Sequence, residues 1–280
     1  MTAKPNPKGT GRCRVMGILN VTPDSFSDGG RFDNLPAAID QAARMVEEGA
    51  DLLDVGGEST RPGAEAVSVG AELDRVIPVL EQLRARFEVP VSVDTSKPEV
   101  MRAAANAGAA MINDVCALQN DGALETAAEL GLPICLMHMQ GEPRTMQQAP
   151  VYKSVTADVC DFLRDRIAAC AGAGLPADRL LVDPGFGFGK TVEHNLQLLR
   201  DLDKIGGLGA PVLAGLSRKS MIGALLDRPV DGRLQASVAL ALIAAQKGAA
   251  IVRVHDVGPT IDALRIWEAV SDRSGEQADG

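Results

Sequence analysis

The chain has 280 residues, 46% hydrophobic and 23% charged, with a formal net charge of −9, an ordinary globular composition that can bury one large core. The acidic balance excludes general affinity for nucleic acid or anionic lipid, which both need a basic face, so any bound anion must meet a local basic cluster. The longest apolar run, near 236–245, is too short to span a bilayer, and no membrane partner is expected.

Residues 1–14 are polar and rich in Lys, Gly and Pro, with no secretory signal; they are predicted to be a flexible segment of a cytoplasmic protein. From residue 15, short apolar runs ending in Gly, Pro, Asn, Asp or Ser alternate with Ala-, Leu- and Glu-rich stretches of helical period. Strands are predicted at 15–21, 51–57, 89–95, 109–115, 132–138, 180–185, 211–217 and 251–257. Helices are predicted at 35–48, 72–87, 98–107, 123–130, 155–171, 191–202, 237–247 and 258–271. Strands each followed by a helix run parallel and need both faces covered, hence their continuous apolarity. Eight such units fit one α/β domain, a single (β/α)8 TIM barrel over 15–271 with a disordered tail at 272–280. A doubly wound sheet has the same periodicity and stays open as the alternative. The five cysteines are scattered, without zinc-ligand spacing, and read as reduced, mostly buried small hydrophobes.

In such a barrel catalysis sits on loops at the carboxyl ends of the strands. The polar residues there are Asn20, Asp54, Glu58, Asp94, Asn113, His138, Asp183, Ser217, Arg253 and His255. Period two puts Arg253 and His255 on one face. Ser217-Arg218-Lys219-Ser220 supplies the local basic cluster; the alternative, a solvated charge run, is strongest for Arg218. Asp94 and Asp183 either neutralise that cluster or accept hydrogen bonds from an amidine-like ligand edge. His138 reads equally as a satisfied core imidazole or a ligand contact, and His194 as a helix surface residue. The stretch from Gly185 to Thr191 fails the phosphate-loop pattern because position 184 is Pro, and fails the dinucleotide pattern by the place of its third Gly. It reads as a flexible loop carrying Phe188 toward the site. Long loops after the first two strands read as lids or binding loops.

Met16-Gly17-Ile18-Leu19-Asn20, the segment from Asp54 to Gly63, Ser92-Val93-Asp94-Thr95, Ile112-Asn113-Asp114, the segment from Asp183 to Phe188, Ser217-Arg218-Lys219-Ser220 and Arg253-Val254-His255-Asp256 together resemble the dihydropteroate synthase family over nearly the whole chain. The resemblance implies condensation of 6-hydroxymethyl-7,8-dihydropterin diphosphate with p-aminobenzoate. It implies a pterin diphosphate site at Thr60, Asp94, Asn113, Asp183, Lys219, Arg253 and His255, with Mg²⁺ held through Asn20. It implies a p-aminobenzoate site at Thr60, Arg61, Pro62, Phe188 and Ser220, with the stem of Lys219 as a packing surface. Phe26 and Asp28 would lie on closing lids. The catalytic set is Asp94, Lys219, Arg253, His255 and Asp28.

With no Ser/His or Cys/His pair read at the strand ends, C–O cleavage is expected to lead, without a side-chain nucleophile. Cys116 departs from the basic or small polar residue of many relatives. The loop holding Phe26 has no insertion, so sulfonamide inhibitors are expected to bind. The alternatives are a methyltetrahydrofolate-corrinoid methyltransferase domain and a catalytically silent paralogue. The resemblance also implies a homodimer through C-terminal helices, against the plainer reading that apolar 237–247 and 260–270 only pack on the barrel.

Overall fold

Alternation along each strand sends one set of side chains inward and the other toward the surrounding helices, and the packing divides accordingly. The computed structural model describes residues 12–22, 34–59, 63–141 and 145–271. Eight parallel strands pair in sequence order and close on themselves, β1 with β8. They are β1 (Arg14–Asn20), β2 (Leu52–Gly56), β3 (Val91–Asp94), β4 (Met111–Asp114), β5 (Ile134–Met137), β6 (Leu180–Asp183), β7 (Val212–Ala214) and β8 (Ala249–Val254). The predicted barrel is therefore observed, and the open sheet is excluded.

The helices are α1 (Asn34–Glu47), α2 (Val69–Arg86), α3 (Pro98–Asn106), α4 (Ala123–Leu130), α5 (Val155–Gly172), α6 (Val192–Arg200), α7 (Leu202–Gly206), α8 (Ser220–Leu226), α9 (Leu234–Gln246) and α10 (Val257–Ser271). Two were not expected. The helix predicted at 191–202 stops at Asp201, whose carboxylate accepts from Thr156 and Gln197 at 2.8 Å each and pairs with Lys204 at 2.9 Å. A side chain serving three partners at that point favours a restart as α7. Likewise β7 is only three residues long, and α8 occupies part of the stretch read as connection. His194 is the N3 residue of the α6 capping box, exchanging bonds with Thr191 at 3.2 and 3.3 Å. Arg12 pairs with Asp51 and Cys13 is buried; residues 1–11 and 272–280 lie outside the described residues.

Inside the barrel, Met16, Leu52, Met111, Cys135, Leu181, Leu213 and Ile251 pack as one cluster, one from every strand but β3. Outward residues such as Leu53, Val55, Val93, Ile112 and Val182 join the larger core under the helices. Two residues beyond each interior member lie Ile18, Asp54, Asn113, Met137, Asp183, Gly215 and Arg253. The interior thus turns from apolar to polar in one step of the pleat. Among the described residues no helix is long and apolar enough to cross a membrane.

Leu53 is fully buried between β2 and the helices, so Leu53→Ala is expected to cost about 2–5 kcal/mol. Val151, 75% exposed, should change stability by less than about 0.5 kcal/mol on substitution by Ala. Urea midpoints of the two variants check both; equal midpoints would contradict this core.

Candidate active site

Arg253, projecting inward from β8, reaches across the barrel mouth. Its Nε donates to Asp54 Oδ2 at 2.6 Å and its Nη2 to Asp94 Oδ2 at 2.8 Å. Asn113 donates to the same Asp54 oxygen at 3.0 Å. Register explains the meeting: Asp94 lies level with Gly56 on one side and Asn113 on the other, and Asp54 level with Ser92. Gly56 lies between Asp94 and Asn20, a Cβ there making ordinary contact with Asp94 at 3.5 Å and Asn20 Oδ1 at 3.7 Å. Burial opposes the charge on Arg253, but Asp54 and Asp94 outweigh it and hold its pKa above the usual range. Burial pushes Asp94 up, against the pull of Arg253, with Asp54 adding to the rise. Asp54 Oδ1 and Ser92 Oγ, both buried, have no hydrogen-bond partner among the described protein groups.

Asp183 ends β6 and accepts from Gly185 N at 2.7 Å through Oδ1; burial raises its pKa, restrained by that bond and by Lys219. Lys219 precedes α8. Burial pushes it down to about 8, although Asp183 and Asp94 favour its charge. Its ammonium stands 4.2 Å from the centroid of Phe188, a cation–π contact. The chain delivers it there through Arg218, whose φ of 56 is left-handed. That turn sends Arg218 outward onto Asp256, at 2.6 and 3.2 Å, while Lys219 points in. The basic cluster is thereby split: Arg218 is a structural ion pair with Asp256, neither an anion site nor a solvated charge, and Lys219 alone of the two enters the site.

His255 lies just past β8. Its Nδ1 is 3.0 Å from Ser217 Oγ, and its backbone N donates to the same oxygen at 3.2 Å. A Ser/His pair therefore does stand at the strand ends, contrary to the sequence reading, which had no means of pairing residues 38 apart. Burial, then Arg218 and Arg253, lowers His255 to about 3; it is a neutral ring, not a cation.

The loop after β6 is not the flexible connection expected. Lys190, buried to 3% exposure, donates to Gly185 O and Phe188 O at 2.9 Å, and Tyr152 and Gln147 donate to Gly189 O and Gly187 O. His138 accepts from Lys190 at 3.0 Å, and its pKa falls to about 3 through burial and that cation, so the reading as a satisfied core imidazole holds. Asp54 and Lys190 went unassigned in the sequence. A carboxylate inside the run Leu52–Gly56 was the available signal for Asp54; nothing local marks Lys190 as buried.

Asn113, Asp94, Asp183, Lys219, Phe188, Arg253 and His255 therefore gather at one mouth, with Asn20 beside Gly56 on its rim. Ser220 follows Lys219 as the exposed first residue of α8. Phe26, Asp28, Thr60, Arg61 and Pro62 lie outside the described residues. Cys116 is half-buried beside the site, its N–H bound to Asp114 at 2.8 Å.

Pterin binding enzymes as a family match residues 16–255. Dihydropteroate synthases of Haemophilus influenzae and Escherichia coli are each 57% identical, covering 92% and 91% of this chain and 94% and 90% of their own. Among solved structures, the Xanthomonas albilineans dihydropteroate synthase with 4-aminobenzoic acid is 57% identical with a TM-score of 0.89, covering 93% of this chain and 94% of that one. A structure of the same enzyme with 7,8-dihydropteroate gives 0.85 at 54% identity over 93% and 94%. The Yersinia pestis synthase in a sulfonamide drug complex gives 0.89 at 55% over 92% and 94%.

Neutral burial of His138 and His255 stabilises the fold fully above pH about 6.5, the unfolded value, and is lost as pH falls toward about 3, the folded value. Asp94, Asp114 and Asp183, raised by burial, act in the opposite sense, so ring titration isolates the imidazoles. By NMR, both rings are expected to keep neutral-form shifts down to pH about 5; a midpoint near 6.5 for either would refute this.

Proposed function

We propose how these strand ends share the chemistry, from the premise that the chain belongs to the dihydropteroate synthase family of pterin-binding enzymes. The reaction joins p-aminobenzoate to 6-hydroxymethyl-7,8-dihydropterin diphosphate, giving 7,8-dihydropteroate and diphosphate. The observation that carries the division of labour is the convergence of Asp94, Asp183 and Asn113 with Lys219 and Arg253 at one mouth. A dihydropterin has a flat donor edge, and buried carboxylate oxygens are the acceptors that fit it. Lys219 donates to the carbonyl and ring-nitrogen side.

Arg253 is pre-set by Asp54 and Asp94, so its remaining donors meet the diphosphate without reorganisation. His255, being neutral, serves as a hydrogen-bond donor through the nitrogen not facing Ser217. Among the described residues no three His, Cys, Asp or Glu groups cluster as for a resident metal. The Asn20 carbonyl oxygen by itself suits a Mg²⁺ that keeps waters and substrate phosphate oxygens as its other ligands. When bound, Mg²⁺ would offset charge on the departing diphosphate. By the family resemblance, Asp28 is assigned to the same set.

On the other side, p-aminobenzoate stacks on Phe188 and the Lys219 stem, its carboxylate near Ser220; by the family resemblance, Thr60, Arg61, Pro62 and Phe26 are assigned to the same substrate. Ser217 makes a poor nucleophile because its ring partner His255, lowered to about 3, is too weak a base to take its proton. The C–O bond therefore breaks first, its electron pair leaving with diphosphate. The amine lone pair then bonds the pterin methylene and the amine loses a proton. No observation favours the corrinoid methyltransferase or the silent paralogue.

Five free cysteines, four of them buried, suit a reducing compartment, and we place the protein in the cytoplasm. With both substrates and Mg²⁺, wild type is expected to form dihydropteroate, while Asp94→Asn and Arg253→Ala lower kcat/KM by about a thousandfold or more. Ser217→Ala should stay within about tenfold, and a sulfonamide should compete with p-aminobenzoate. Complete loss in Ser217→Ala would point to a covalent route.

We infer a homodimer through α9 and α10, a reading supported by Ile243, Ile266 and Val270, which are 40%, 69% and 79% exposed on helices that bury their other faces. Light scattering should find twice the chain mass for wild type and the single mass for the double variant Ile243→Asp, Ile266→Asp. A monomeric wild type would leave those helices with the barrel as their only partner.

A further inference from the structure

The 185–189 loop follows an uncommon path. Gly185, Gly187 and Gly189 all have left-handed φ, of 69, 81 and 61. A Cβ at Gly185 would overlap the carbonyl oxygen of His138, and one at Gly189 the carbonyl of Gln140. The loop thus lies against the end of β5, with carbonyls turned toward the ammonium of Lys190. That ammonium meets Gly185 O and Phe188 O at 2.9 Å, His138 Nδ1 at 3.0 Å and His138 O at 3.3 Å. Every one of these acceptors is neutral. Burying an ammonium without a carboxylate partner is costly: burial lowers the Lys190 pKa to about 7, with Asp183 favouring its charge and Lys219 opposing it.

What the loop presents on its other side is the site. A Cβ at Gly187 would stand 3.2 Å from Lys219 Cδ, and the Phe188 ring lies 4.2 Å from Lys219 Nζ. Lys190 touches neither substrate position; it acts through the carbonyls flanking Gly187. We propose that Lys190 is a positioning residue for the aminobenzoate half of the reaction, its ammonium setting the path of the 185–189 loop so that Phe188 sits under Lys219 as a stacking surface. This rests on the reading of Phe188 as the aminobenzoate platform.

The expected signature separates the two substrates. Of the pterin acceptors, Asp94 and Asn113 stand on β3 and β4, away from the loop, and Asp183 is fixed on β6 with only its bond from Gly185 N at the loop's start, whereas the platform is the loop itself. Lys190→Met should raise the KM for p-aminobenzoate about tenfold, with the pterin diphosphate KM within about threefold and kcat nearly unchanged. Lys190→Gln, which keeps a donor, should fall between Met and wild type. Phe188→Ala, measured alongside, tests the platform itself. If Phe188→Ala leaves that KM unchanged, the platform reading fails. If Phe188→Ala raises it while both Lys190 variants stay within about twofold, or lose kcat alone as a smaller folded fraction would, the Lys190 inference is overturned. Should neither Lys190 variant fold, Tyr152→Phe decides, because Tyr152 donates to Gly189 O at 2.7 Å and so holds the same loop path. A rise of about threefold in the same KM is expected, and no rise overturns the inference.

Discussion

Closing eight parallel strands into a barrel fixes which side chains can meet. Every second residue must face a common interior, and the stagger of neighbouring strands sets its height there. Seven strands supply an apolar residue to the packed layer and then, one pleat step later, Ile18, Asp54, Asn113, Met137, Asp183, Gly215 and Arg253. Asp54 and Arg253, 199 positions apart in the chain, become hydrogen-bond partners for this reason. The apolar layer also keeps water from below, so the polar layer works in a low dielectric. The upward shifts of Asp94 and Asp183 and the downward shift of Lys219 follow from the same burial.

That layer mixes charges of both signs at close range, which is expensive unless they are paired. Arg253 resolves most of the conflict by binding two carboxylates at once, and Asn113 adds a neutral donor to one of them. The pairing does more than stabilise. Asp54 and Asp94 use the Nε and Nη2 edges of the guanidinium, which fixes its plane and leaves its orientation settled before any anion arrives. Preorganised donors of this kind are the largest single source of transition-state stabilisation in many enzymes.

Strand ends were legible in the sequence because an acid or base that closes an apolar run stands where burial would otherwise select against its charge. Asp94, Asp183 and Arg253 were found that way, Asn113 as a polar strand end and Lys219 from the basic run after the seventh strand, and all converge. Asp54 was visible as a strand residue, but its link to Arg253 depends on inter-strand register, which one strand does not encode. The Ser217–His255 contact escaped for the same reason, since it joins the ends of β7 and β8. Lys190 escaped for a different one: a lysine after three glycines reads as exposed, and its burial arises from carbonyls that face it only in the folded loop. α7 and α8 were missed because helices of five and seven residues carry too little periodicity to register.

Arg218 and Lys219 show why adjacency in sequence can mislead about chemistry. Both are basic, and side by side they read as one anion-binding patch. The left-handed backbone at Arg218 costs a non-glycine residue about 1 kcal/mol, and it persists because the surroundings hold it: Ser237 Oγ accepts the Arg218 N–H at 2.9 Å, and Arg233 donates to the Arg218 carbonyl at 3.1 Å. The turn separates the two charges. Asp256 neutralises Arg218 at the periphery, whereas Lys219 enters the mouth, where Asp183, Asp94 and the Phe188 face are its neighbours. One strained residue thus converts a generic basic pair into a single directed donor, and the loops after β6 and β7 meet at that donor and its aromatic support.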